Sequence, residues 1–150
     1  MGFIRDVSRA ADESQDAYLS LCWLLLAVLA DDHDPGEAGR MAGRLIGSAA
    51  FGDHTGTPED ALVQFESFLE NRGFMPKQIG SRPQVVFELG RCPYEEAALA
   101  NPRLVCGLHK ALAEGTLEAL GGAFEVTSLV ARHPTTAGCR LQLRAVGRPA

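Results

Sequence analysis

Residues 84–122, QVVFELGRCPYEEAALANPRLVCGLHKALAEGTLEALGG, decide the fold class, because the hydrophobic period changes inside them from that of a strand to that of a helix. QVVFEL has the β-branched and aromatic content of a strand packed on one face. The corner Arg91-Cys92-Pro93-Tyr94 ends that strand, and a short helix is predicted over 94–100. Asn101-Pro102 then caps and opens a longer helix, predicted over about 102–120, with Leu104, Leu108 and Leu112 on one stripe. Gly121-Gly122 stops it.

Outward from this stretch the same two periods alternate. On the C-terminal side, Ala123–Leu129 and Cys139–Val146 read as a pair of strands joined by VARHPTTAG. On the N-terminal side, Phe74–Gly80 pairs with Gln84–Leu89 around GSRP. Earlier still come four helices. An amphipathic one is expected over 3–14, with Phe3, Ile4 and Val7 on one side, and an almost wholly apolar one over 15–31. A third is predicted over 35–49, opened by Asp34-Pro35, with Met41, Leu45 and Ile46 at helical spacing. The fourth, over 58–71, starts at Thr57-Pro58-Glu59-Asp60, presents Leu62, Phe65 and Leu69, and ends at Gly73. Helices and hairpins are segregated along the chain, which argues an α+β fold: N-terminal helices packed with an antiparallel sheet of two hairpins. A single domain over 1–150 is expected, its helical part about 3–73 and its α/β part about 74–146, with 147–150 a frayed tail.

The chain has 150 residues, of which 46% are hydrophobic and 22% charged, enough for one sizeable core and incompatible with intrinsic disorder. Its net charge of −5, with Lys77 and Lys110 as its lysines, makes it a poor nucleic-acid clamp, so no direct DNA binding is expected. Arg132, Arg140 and Arg144 would form at most a small basic strip. The apolar run Ala17–Ala30 is 14 residues long, short of the roughly 20 that a membrane span requires. Acidic residues flank it on both sides, which argues against a secretory signal and for a cytoplasmic protein with no membrane contact. A run apolar on nearly every face is hard to bury in a monomer of this size, so a homodimer involving Leu19, Trp23 and Leu26 is expected.

Chemistry concentrates in Cys92, Cys106, His109 and Cys139. Cys106 and His109 stand three apart in CGLH on a predicted helix, so both lie on one face, near enough to share an ion. Cys92 precedes a proline at a strand-to-helix corner, and Cys139 opens the last strand. Three sulfur ligands and one imidazole suit a tetrahedral zinc site, or an iron–sulfur cluster with one histidine ligand. The gaps are long, thirteen residues between Cys92 and Cys106 and twenty-nine between His109 and Cys139, and the same residues also read as small buried hydrophobes beside a helix histidine. Cys22, Tyr18 and Trp23 read as core or dimer packing, His33 as part of a solvated acidic turn, His54 as a surface-loop residue, and His133 as an alternative fourth ligand. Glu95 and Glu96 suit the first turn of a helix.

The segment GRCPYEEAALANPRLVCGLHKALAEG, followed by a hairpin whose last strand carries a cysteine, resembles the C-terminal sensor module of ArsR-like winged-helix bacterial regulators and the related four-vinyl-reductase-type sensor domains. The resemblance covers about 82–146, with looser agreement over 15–73. It implies that Cys92, Cys106 and Cys139 surround a metal or iron–sulfur cluster, with His109 where a fourth ligand is expected and haem a less favoured cofactor. It also implies a small-molecule ligand and a role in transcription regulation. Winged-helix regulators carry roughly 60–80 residues of DNA-binding domain ahead of such a module, and no basic recognition helix is legible here. The expectation is therefore a small metal-binding, ligand-sensing regulatory domain lacking a DNA-binding half. The alternative is a stand-alone metal- or haem-dependent enzyme on a small metabolite, built on the same fold.

Overall fold

The computed structural model describes residues 35–52, 56–133 and 135–146. The helices expected over 3–14 and 15–31, the dimer residues Leu19, Trp23 and Leu26, and Tyr18, Cys22, His33, His54 and the tail lie outside the described residues. Helix α1 (Pro35–Phe51) is followed by α2 (Pro58–Asn71), strands β1 (Pro76–Ile79) and β2 (Gln84–Leu89), helices α3 (Glu95–Ala100) and α4 (Pro102–Ala119), and strands β3 (Phe124–Val130) and β4 (Cys139–Ala145). The fold is α+β.

Local chemistry sets the boundaries. Thr57 caps α2 in a capping box: its hydroxyl accepts from the Asp60 N–H at 3.2 Å while the Asp60 carboxylate accepts from the Thr57 N–H at 3.0 Å. Asn101 caps α4 by accepting from the Leu104 N–H at 3.3 Å, with Pro102 at the first helical position. Gly73, Gly121 and Gly122 take the left-handed backbone that ends both helices (φ +83°, +93° and +67°).

The two hairpins join into one antiparallel sheet of order β1-β2-β4-β3. On one face Val85, Phe87 and Leu89 of β2 and Leu141 and Leu143 of β4 are buried. Against them pack Leu62, Phe65 and Leu69 of α2 and Val105, Ala113 and Leu117 of α4, so one core spans the helical and α/β parts. The Phe65 and Phe87 rings meet edge-on at 5.6 Å. On the other face β4 is paired by charge. Arg140 meets Glu88 at 3.5 Å, and Arg144 bonds Glu125. Two arginines of the expected basic strip are thereby each matched by a glutamate.

Helix α1 lies outside this core, against α4. The sequence pattern places Met41, Leu45 and Ile46 on its packing face; only Ile46 packs, while Met41 and Leu45 are 40% and 73% exposed. The buried stripe is instead Ala38, Gly39, Ala42, Gly43 and Gly47. A Cβ on Gly43 would stand 2.3 Å from the Leu112 carbonyl oxygen, and one on Gly115 of α4 would stand 2.0 Å from the Arg40 carbonyl oxygen. The helices therefore touch backbone to backbone, closer than side-chain-mediated packing permits. Arg40–Glu114 at 3.7 Å and Arg44–Glu118 at 3.4 Å bridge the seam at its exposed margin. No helix among the described residues is long and apolar enough to cross a membrane.

Candidate metal centre

Sheet register brings distant cysteines together. In the β2–β4 ladder Leu89 pairs with Cys139, and the Gly138 N–H donates to the Leu89 carbonyl at 2.8 Å. The chain leaving β2 is held on the other side, where Gly90 and Arg91 donate to the Met75 and Phe74 carbonyls at 3.0 and 3.1 Å. Cys92, three residues beyond Leu89, is thus fixed beside the start of β4. Helix α4 brings Cys106 and His109 to the same place.

All four predicted residues line one small cavity, of about 20 Å³, together with Phe74, Leu89, Tyr94, Val105 and Leu129 among others. That is room for a single water- or ion-sized occupant. The three thiols are free and half-buried. Cys92 lies close enough to Cys139 and Cys106, and Cys106 to Cys139, for the neighbouring charge to be felt. Burial pushes the Cys92 thiol up, the Tyr94 backbone N–H partly offsets the rise, and Cys139 and Cys106 add to it. Burial likewise pushes the Cys106 thiol up, with Cys139 contributing. The four side chains line the cavity without converging on a point: no three His, Cys, Asp or Glu side chains among the described residues are arranged to hold one ion as they stand.

His109 is stacked on Phe74, with ring centroids 4.7 Å apart and planes 10° from parallel, and meets Tyr94 edge-on at 6.0 Å. Desolvation lowers its pKa to about 4, so the imidazole is neutral at physiological pH, the form that ligates metals. Cys139 is held through its sulfur, which accepts from the Arg132 N–H at 3.2 Å. The β3–β4 loop leading to it is folded on His133, whose carbonyl accepts from the Thr136 and Ala137 N–H groups at 3.0 and 2.9 Å and whose ring lies 2.6 Å from the Thr135 hydroxyl. His133, named above as an alternative fourth ligand, is exposed and does not line the cavity; its hydrogen bonds shape the loop. Glu95 and Glu96 occupy the first turn of α3, as expected.

No protein-family model matches the chain, and no curated protein is significantly similar to it.

Two cavity residues escape the sequence reading. Phe74 supplies the platform under His109, and Tyr94 is buried with a hydroxyl that has no hydrogen-bond partner among the described residues. The signal for Tyr94 is its place two residues after Cys92 in the corner. Phe74 carries no such signal, because only the tertiary fold lays it beside α4.

Proposed function

We propose that this chain is a small metal-binding regulatory domain, with Cys92, Cys106 and Cys139 as thiolate ligands and His109 as the fourth. The observation that carries this reading is the meeting of these four residues, spread over 48 positions of the sequence, at one cavity of ion size. The donor set fits a soft or borderline ion. The cavity's volume favours a single ion such as zinc over an iron–sulfur cluster, although both remain within the donor chemistry. A bound ion would supply a cross-link between the corner after β2, helix α4 and the start of β4, with the thiols turning inward to reach it. Occupancy would then be coupled to the register of β2 against β4, which is how a domain of this kind reports an ion or a small ligand.

In this reading the protein is cytoplasmic and acts as a homodimer through the apolar run Ala17–Ala30. Its output passes through a partner protein or small ligand and not through direct contact with DNA. The paired arginines of β4 support the last point. Elemental analysis and a visible spectrum of anaerobically purified protein test the reading: one zinc per chain in a colourless sample supports the single-ion form, and a brown sample with iron and sulfide supports the cluster. A preparation that takes up neither metal defeats it.

A further inference from the structure

We infer that the β3–β4 loop, residues 131–138, carries occupancy of the metal site to the protein surface through one hydrogen bond, from the Arg132 main-chain N–H to the Cys139 sulfur; this deepens the metal-binding reading above and depends on it. The bond is 3.2 Å long and joins residues seven apart in the sequence. It forms just beyond the end of the ladder, where Val130 with Arg140 is the last β3–β4 pair. Cys139 itself is held by that ladder, opposite Leu89 of β2. The sulfur therefore stands on a fixed strand and reaches across the mouth of the hairpin to the first residues of the loop.

The loop is one hydrogen-bonded unit. The His133 carbonyl accepts from the Thr136 and Ala137 N–H groups at 3.0 and 2.9 Å and from the Thr136 hydroxyl at 3.0 Å. The Thr135 N–H donates to His133 Nδ1 at 3.3 Å. Ala137 and Gly138 both take left-handed backbone, φ +54° and +80°. That turn lets Ala137 line the cavity and the Gly138 N–H reach the Leu89 carbonyl at 2.8 Å. One end of the loop is thus pinned to β2 and the other to the Cys139 sulfur. Residues 131–133, 135 and 136 between them are exposed. A sulfur that ligates a cation is a charged acceptor, and hydrogen bonds to charged acceptors are roughly twice as strong as those to neutral ones. An ion at Cys139 therefore tightens the Arg132 end of a loop whose other end is already fixed. An exposed segment then changes its order with the state of a half-buried site, where outer hydrogen bonds also tune affinity.

Nuclear magnetic resonance of the nitrogen-labelled wild-type chain tests this, with cadmium as the probe. A spin-active cadmium isotope should split the Arg132 amide resonance by coupling through the sulfur, and a spinless isotope should leave it single. Hydrogen exchange at the Arg132, Thr136 and Ala137 amides should slow roughly tenfold or more when cadmium is bound. A merely structural loop would show neither change. Arg132→Pro removes the donor and should weaken zinc binding roughly 10–100-fold under chelator competition, whereas Arg132→Ala, which keeps the N–H, should stay within about twofold. If the proline variant does not fold, the wild-type resonances decide. A cadmium-loaded protein without splitting at Arg132, or with exchange unchanged at the three amides, overturns the inference and leaves the metal reading standing. Equal losses in the proline and alanine variants also overturn it, because the side chain would then be the cause. A wild-type protein that takes up neither cadmium nor zinc defeats the reading and the inference together.

Discussion

Helix α4 carries two unlike surfaces. Toward α1 it is packed so closely that a single methyl group has nowhere to go: Gly115 lies under the Arg40 carbonyl, and Gly43 lies over that of Leu112. Toward the end of the sheet it borders a cavity with space for an ion, three free thiols and a phenol hydroxyl without a partner among the described residues. The first surface is filled by backbone-to-backbone contact. The second has donors and acceptors to spare. The contrast separates a place where sequence variation should damage folding from one where it should damage binding, and each surface can be challenged alone.

The largest expected effect is at the cavity. Cys92→Ser, Cys106→Ser and Cys139→Ser should each lower zinc affinity by two orders of magnitude or more, which is about 3 kcal/mol of lost binding, whereas Cys22→Ser should leave metal content unchanged. Full occupancy in all three single variants, measured by elemental analysis, would dissolve the distinction between the two surfaces. Next comes the seam. Gly115→Ala would ordinarily gain about 1 kcal/mol of helix propensity. Here the added Cβ meets backbone, so a net loss of about 2–3 kcal/mol in urea unfolding is expected. Metal-free and zinc-loaded protein should lose similar amounts, because the seam does not touch the cavity.

The third effect is on pH. Folded His109 titrates at about 4, below its ordinary value near 6.5, so the unfolded chain binds the extra proton between those values. Stability of the metal-free protein should therefore be fully present above pH 6.5 and fall, by on the order of 2 kcal/mol, as pH drops toward 4. His109→Phe, which keeps the stack on Phe74, should flatten that slope in chemical denaturation at a series of pH values. An unchanged slope would mean that His109 is not the residue responsible. The smallest effect makes the seam argument sharper. Gly107 lies in the same helix with nothing within 4 Å of where its Cβ would be. Gly107→Ala should stabilise by about 0.5–1 kcal/mol, opposite in sign to Gly115→Ala, and a loss of stability there would show that the clash at Gly115 is not the cause of its effect.

Much of this architecture is legible in local signals. Thr57 with Asp60, and Asn101 with Pro102, start helices at the residues where the structure starts them, and the predicted span 84–89 is the observed β2. These signals are readable because a cap, a proline or a strand's alternation acts on its own few neighbours. The face of α1 is misread for a related reason. Hydropathy weights Met41 and Leu45 above glycine, yet close approach of two backbones rewards the absence of a side chain, and GEAGRMAGRLIG carries that pattern at every fourth residue in Gly39, Gly43 and Gly47.

The helix starts, most element boundaries to within a residue or two, and the α+β class could be read along the chain, since each depends on side chains acting within one turn or one strand. It took three-dimensional packing to join the hairpins through β2 and β4, to set Leu89 opposite Cys139, and to lay Phe74 under His109. Those pairings link residues far apart in the sequence, and they follow from the joint packing of α2 and α4 on one sheet face. No short stretch of chain contains the contacts that select them.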